Sequence, residues 1–463
     1  MLFNSYEFIF FFLPLVYLLY FTLHRYASTL VAKLFLVLAS LFFYSWWNPV
    51  YLPLILGSMV FNYLVGQKLA HSREPKLLLV FGVGVNLALL GYFKYADFFI
   101  NNANFLFGTK IPLLHLVLPL AISFFTFQQI AYLVDSYRHE TKEYNFLNYA
   151  LFVTFFPQLI AGPIVHHKEM MPQFADANNR YPRAAHIAEG LFIFAVGLFK
   201  KVVIADTFAI WTTEGFDHTA SLDFAGAWIT SLSYTFQLYF DFSGYTDMAI
   251  GAALLFNIRL PRNFDSPYKA TSIQDFWRRW HITLSRFLRD YIYIPLGGNR
   301  KSEYRTHYNL MTTFLLGGIW HGAGWTFLFW GALHGLALVI HRLWKKAGKT
   351  LPTVAAWFVT FMFVNISWVF FRAKSFDDAF KVLKGMFGFN GGTTTFNTMA
   401  LWYIAAAFVV VLLFHNSNEL AANKKLKKYY LFITVLLFLF TLLQMFNISV
   451  QEDRVSEFLY FNF

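Results

Sequence analysis

The 463-residue chain contains no cysteine, which excludes disulfides, thiolate metal sites and a cysteine nucleophile. Charge is scarce: Asp, Glu, Lys and Arg together make up 13%, about half of what a soluble domain carries. The opening MLFNSYEFIFFFLPLVYLLYF has neither a basic n-region nor a small-residue cleavage pattern, so no cleavable signal peptide is expected. No internal duplication, long linker or low-complexity tract is evident, and one domain over 1–463 is the economical expectation. The histidines lack ligand spacing with carboxylates, so no metal site is expected.

What the chain has is apolar length. Hydrophobic residues make up 57%, aromatics 21%, with 59 Phe, and the mean hydropathy is +0.48. Continuous apolar runs of roughly 17–25 residues, enough for a helix to cross a bilayer, recur throughout. They are not alternating, which excludes a transmembrane β-barrel. The expected class is an all-α polytopic membrane protein. Spans are expected near 6–23, 29–46, 50–66, 77–95, 113–134, 147–166, 186–208, 225–256, 309–341, 354–371, 399–415 and 429–447, the 309–341 run being long enough for two passes. About eleven crossings with shorter re-entrant or interfacial helices between them accommodate these runs.

The net charge of +12 fits basic cytoplasmic loops rather than nucleic-acid binding. LAHSREPK (69–76), HRLWKKAGK (341–349) and NKKLKK (423–428) are the basic loops. Placing them inside puts both termini outside. It also puts 371–387 outside despite its lysines, and there the spacing of Phe376, Phe380, Val382, Leu383 and Phe387 suits an amphipathic helix on the membrane surface.

Polar residues concentrate in 234–335. YTFQLYFDFSGYTDMAIG (234–251) sets Gln237, Asp241, Ser243, Tyr245 and Asp247 in an apolar run. A central Asp costs about 2.5–3.5 kcal/mol on insertion scales, so it faces a cavity or a partner helix. Over 259–305 ten basic residues face four acids, which places this stretch on the cytoplasmic side. Periodicity predicts one helix over Ile273–Tyr293, with Trp277, His281, Leu284 and Leu288 on one face and Arg279 and Arg286 on another. The arginines of this helix suit lipid headgroups or, alternatively, a phosphate-rich donor in a cytoplasmic pocket.

GGIWHGAGWTF (317–327) then holds His321 among Trp320, Trp325 and glycines, with Trp330 following. Gly318/Gly322 and Gly331/Gly335 are small-xxx-small pairs that permit close helix approach. His281 and His321, each in an aromatic setting beside one basic stretch, are the candidate chemical pair; His334 is expected only to hydrogen-bond between helices. A transporter would use polar groups at membrane depth equally well, although the paired repeats common in transporters are absent.

LPLAISFFTFQQIAYLVDSYR (118–138), FPQLIAGPIV (156–165), GLFKKVVIAD (197–206), FQLYFDFSGYTDMAIG (236–251), FWRRWHITLSRFLRDYIYIPLGG (276–298) and GGIWHGAGWTFLFWGALHG (317–335) together resemble the membrane-bound O-acyltransferase superfamily. The resemblance is strongest to its bacterial branch that O-acetylates exported polysaccharides, of the alginate O-acetylase and peptidoglycan O-acetyltransferase type. It implies that His321 matches the catalytic histidine and His281 the second active-site position. It implies a helical fold around a central tunnel, lined here by Gln237, Asp241, Ser243, Tyr245, Trp280, Trp320 and Trp325. Acetyl-CoA is the implied donor, not a tightly bound cofactor, with Arg278, Arg279, Arg286 and Arg289 as its expected phosphate ligands.

The implied partners are a periplasmic esterase-fold (SGNH-type) transferase and the exported polysaccharide, and the implied location is the bacterial inner membrane. His321 acts either as general base or as covalent carrier of the acetyl group. D-alanyl transfer to teichoic acid, within the same superfamily, is an alternative, as is a transporter without acyl chemistry.

Overall fold

The computed structural model describes all residues except 47, 142–144, 161, 392–397, 424, 453–457 and 460–463, and the backbone alone for 448–452. Among the described residues every regular element is a helix. The helices gather into two compact units. The first comprises Met1–Ala195, Tyr245–Pro261 and Lys427–Leu436; the second comprises Val196–Gly244, Arg262–Leu426 and Leu437–Phe463.

Among the described residues six helical stretches are long and apolar enough to cross a membrane: Glu7–Tyr26, Pro49–Leu69, Pro75–Phe107, Trp325–Lys346, Thr353–Arg372 and Lys427–Asn447. Thr29–Ser45 and Met399–Leu413 are apolar but shorter. Their outward faces carry large exposed side chains such as Phe11, Leu38, Phe81, Val354, Trp402 and Leu431, as expected where the solvent is lipid. The expected 225–256 span is the helix Phe224–Leu255. The 309–341 run is indeed two helices, Glu303–His321 and Trp325–Lys346, broken at 322–324. Other expected spans are interrupted: 113–134 becomes helical only from Ile122, and 147–166 is a helix over Phe146–Thr154 followed by a single turn.

The first unit ties its helices with buried amides. Asn62 and Asn86 exchange side-chain hydrogen bonds of 3.1 and 2.6 Å, and Gln129 accepts from the Tyr149 hydroxyl while donating to Ser58. In apolar surroundings each of these groups needs such a partner, so the amides specify which helices meet.

In the second unit, Glu303–His321 and Trp325–Lys346 approach closely through glycine. A Cβ on Gly318 would collide with the carbonyl oxygen of Phe327, and one on Gly331 with that of Phe314. Between 371 and 387 the amphipathic helix forms over Phe376–Met386, started by a capping box in which Ser375 and Asp378 satisfy each other's backbone N–H. Ala379, Val382 and Met386 are buried while Phe376 and Phe380 remain exposed.

Candidate functional site

The predicted single helix over Ile273–Tyr293 is not formed. Three pieces replace it: Ile273–Arg279, Ile282–Leu288 and a π-helical turn, Arg289–Tyr293. The break falls at His281, whose backbone is left-handed (φ 42°), an unusual state for a bulky residue that surrounding structure must enforce. The enforcing element is the segment 263–265. Asp265 N–H donates to the Arg279 carbonyl and Ile282 N–H to the Asn263 carbonyl, both at 2.9 Å, which pairs groups that the break would otherwise leave open. Trp277 and His281 therefore do not share one continuous helix face.

The kink drives the His281 ring inward, where it is fully buried against the edge of Phe242 (centroids 4.7 Å), Phe264 and Trp320. Its Nδ1 lies 3.1 Å from Asn263 Oδ1. That oxygen also accepts from Thr283 N–H (3.1 Å) and from the Thr283 hydroxyl (2.9 Å). A backbone N–H can only donate, so the Asn263 atom is identified as the oxygen, and His281 Nδ1 must carry the proton. This leaves Nε2 as the basic nitrogen. Burial holds the imidazole well below its usual range, at about 3, so the ring is neutral at physiological pH.

His321 ends its helix just before the glycine break. Its ring is buried among Trp320 (centroids 4.9 Å), Trp330 (5.1 Å, edge-on) and Phe371 (5.0 Å). Trp320 thus neighbours both histidine rings, at 4.9 Å from His321 and 6.3 Å from His281. His334 has the expected hydrogen-bonding role. Its Nδ1 accepts from the Trp277 indole at 3.1 Å, and its Nε2 donates to Ser367 Oγ at 3.0 Å.

Of the expected lining residues, Gln237, Asp241, Ser243, Trp280 and Trp320 are buried in the second unit. Trp280 packs on Trp368 and Phe264. Tyr245 belongs to the first unit and stacks on Phe3. Trp325 stands 54% exposed in the first turn of its helix, on the surface rather than in the histidine shell.

The arginines divide by their commitments. Arg279 grips both oxygens of Asp275 at 3.0 Å and also reaches the Asp265 carbonyl; Arg289 bonds Asp290. Arg278 is exposed, and Arg286 is half-buried.

Two contributors do not stand out in the sequence. Asn263 is one. Lys201 is the other: its Nζ lies 2.7 Å from Asp241 and 2.8 Å from Asp206, all within the second unit. The rule that an intramembrane acid needs a partner points to the lysines of GLFKKVVIAD (197–206), but spacing does not choose between Lys200 and Lys201. No cluster of ligands able to hold a metal occurs among the described residues.

The chain is thus a helical membrane protein with two buried histidines on a shared indole, in sequence beside a basic stretch. The membrane-bound O-acyltransferase family model matches residues 134–376, and the chain belongs to that family. It is 57% identical to the peptidoglycan O-acetyltransferase of Helicobacter pylori, over 84% of this chain and 80% of that protein. To a probable alginate O-acetylase of Pseudomonas aeruginosa it is 44% identical, over 84% and 75%. To the teichoic acid D-alanyltransferase of Bacillus subtilis it is 29% identical, over 57% and 70%. The chain is thus a membrane O-acyltransferase, as its sequence motifs led one to expect.

Proposed function

We propose that this chain is the inner-membrane component of a bacterial polysaccharide O-acetylation system, with peptidoglycan favoured over alginate as the final acceptor. The higher identity to the peptidoglycan enzyme, 57% against 44%, supports that order. Acetyl-CoA binds from the cytoplasmic side against the basic 259–305 stretch, and a separate esterase-fold protein outside the membrane completes the transfer.

The observation that carries this reading is the pair of buried histidines about Trp320. Their apolar shell excludes water, which would otherwise hydrolyse the thioester. An imidazole there removes the proton from an acceptor hydroxyl as its oxygen bonds to the acetyl carbonyl carbon. The C–S bond breaks, and CoA leaves as the thiol with that proton. His321 is the base, and His281 orients a reacting group or assists.

Membranes holding the wild type or His321→Ala, supplied with radiolabelled acetyl-CoA, test this. The variant is expected to reach the membrane at normal abundance with acetyl transfer reduced about 10²–10⁴-fold, the usual cost of losing general acid–base catalysis. A fully active His321→Ala protein would sink the assignment. Turnover of a D-alanyl donor in place of acetyl-CoA would move the chain to the teichoic acid branch, and substrate movement with no CoA release would mark a transporter.

A further inference from the structure

We propose that Asn263 is a positioning residue for the transfer reaction: its side-chain oxygen fixes the tautomer and direction of the His281 ring. The inference rests on the reading that His281 serves the chemistry. Asn263 is fully buried, and its Oδ1 gathers three donors: His281 Nδ1–H, Thr283 N–H and the Thr283 hydroxyl. The same residue's carbonyl accepts Ile282 N–H, so one residue holds both the left-handed backbone at the break and the ring that the break turns inward. A neutral imidazole can present its lone pair on either nitrogen, and only an acceptor at Nδ1 commits it to Nε2. Thr283 secures the amide orientation, because its backbone N–H faces the atom that must therefore be oxygen.

The elements packed on His281 bring Phe242, Phe264 and Trp320 to it, none of them charged. Asp241 is held by Lys201 and Arg279 by Asp275; Asp247, Asp265, Arg278, Arg286, Glu303, Arg305, His307 and His321 are the other charged or imidazole groups on those elements. A carboxylate introduced at 263 would stand at the oxygen that now meets Nδ1 at 3.1 Å, and would favour the ring's protonated form.

The test compares Asn263→Ala, Asn263→Asp and His281→Ala in membranes matched for protein abundance, with acetyl-CoA as donor. Asn263→Ala should lower kcat at least tenfold with little change in KM for acetyl-CoA, since the residue acts through the His281 ring. Asn263→Asp retains an acceptor of the same size and should recover most of the rate at high pH. Its activity should rise with pH as the imidazolium loses its proton, at a pH where the wild type is already flat. An Asp variant that matches wild type at every pH still supports the assignment, because a protonated carboxyl accepts the same bonds.

Wild-type kcat in Asn263→Ala overturns the proposal, as does equal loss in the Ala and Asp variants at all pH values. Should Asn263→Ala not accumulate, Asn263→Leu, closer in volume, replaces it under the same criteria. If His281→Ala is itself fully active, the reading beneath the proposal fails. If His281→Ala is dead while Asn263→Ala is unimpaired, only the proposal does.

Discussion

Lys201 Nζ lies 2.7 Å from Asp241 Oδ1, and both side chains are almost entirely buried. The ammonium also serves Asp206 at 2.8 Å, and the second Asp241 oxygen accepts the Leu459 N–H at 3.0 Å. One ammonium therefore contacts two acids, and the partners are not equivalent. Removing one partner of a buried pair typically costs about 3–5 kcal/mol, because the other charge is stranded.

Lys201→Met takes the ammonium contact from two carboxylates, whereas Asp241→Asn leaves Lys201 its bond to Asp206. The lysine variant is expected to be the more damaging, with the larger fall in detergent-solubilised melting temperature and membrane abundance. Equal melting temperatures for the two variants would contradict the asymmetry.

Gly318→Ala and Gly331→Ala should each destabilise the helix pair that presents His321. The new methyl meets a backbone carbonyl across the interface, which cannot rotate away as a side chain could. Overpacking of this kind costs about 1–3 kcal/mol. Gly324→Ala, whose Cβ would find only ordinary contacts with Phe327 and Thr326, serves as the control and should melt near wild type.

The sequence makes the helical membrane class legible because apolar composition and run length are direct consequences of a lipid solvent. It also makes the glycine-rich helix pair legible, since small residues at four-residue spacing have one common use. The break at His281 is different. Apolar periodicity continues across 273–293 without interruption, and no glycine or proline marks the kink. Its cause is the 263–265 segment, which is remote in sequence from His281 and supplies the bonds that replace helical ones. Asn263 is inconspicuous for the same reason, since an isolated Asn in a loop carries no periodic signal.

Stability should depend on pH through His281. The folded ring is depressed to about 3, whereas in the unfolded chain it takes up a proton near its ordinary value of about 6.5. Below about 6.5 the unfolded state binds more protons, so this contribution to stability is complete at neutral pH and falls as pH drops toward 3. Melting temperatures at pH 7.5 and 5 measure it, with His281→Gln as reference. The wild type should lose more stability than the variant over that interval, and parallel losses would show that His281 contributes nothing.

Topology follows from the basic loops. Residues 341–349 are expected inside, and both termini outside. Reporter fusions at 346 and 452 should give cytoplasmic and periplasmic signals respectively, and the reverse pair would refute the arrangement.

The four arginines should not contribute equally to donor binding. Arg279 spans Asp275 and the Asp265 carbonyl, and so braces the break beside His281. Its loss should chiefly lower stability. Arg289 is paired with Asp290, although more than half exposed, and an exposed pair of that kind contributes at most about 1 kcal/mol. Arg278 is exposed on the final turn of Ile273–Arg279, close in sequence to His281, and under the proposed function is the one of the four expected to meet a donor phosphate. A charge-assisted hydrogen bond contributes about 1.5–3 kcal/mol, and about 1.4 kcal/mol corresponds to tenfold in affinity. Arg278→Ala should therefore raise KM for acetyl-CoA about tenfold or more while leaving kcat within a few-fold, the pattern of an interaction made equally in ground and transition states. Arg278→Lys should restore part of the affinity, because a point charge recovers attraction without the forked geometry. If KM is unchanged in Arg278→Ala and Arg286→Ala while both proteins accumulate normally, this basic stretch meets lipid headgroups and the donor is held elsewhere.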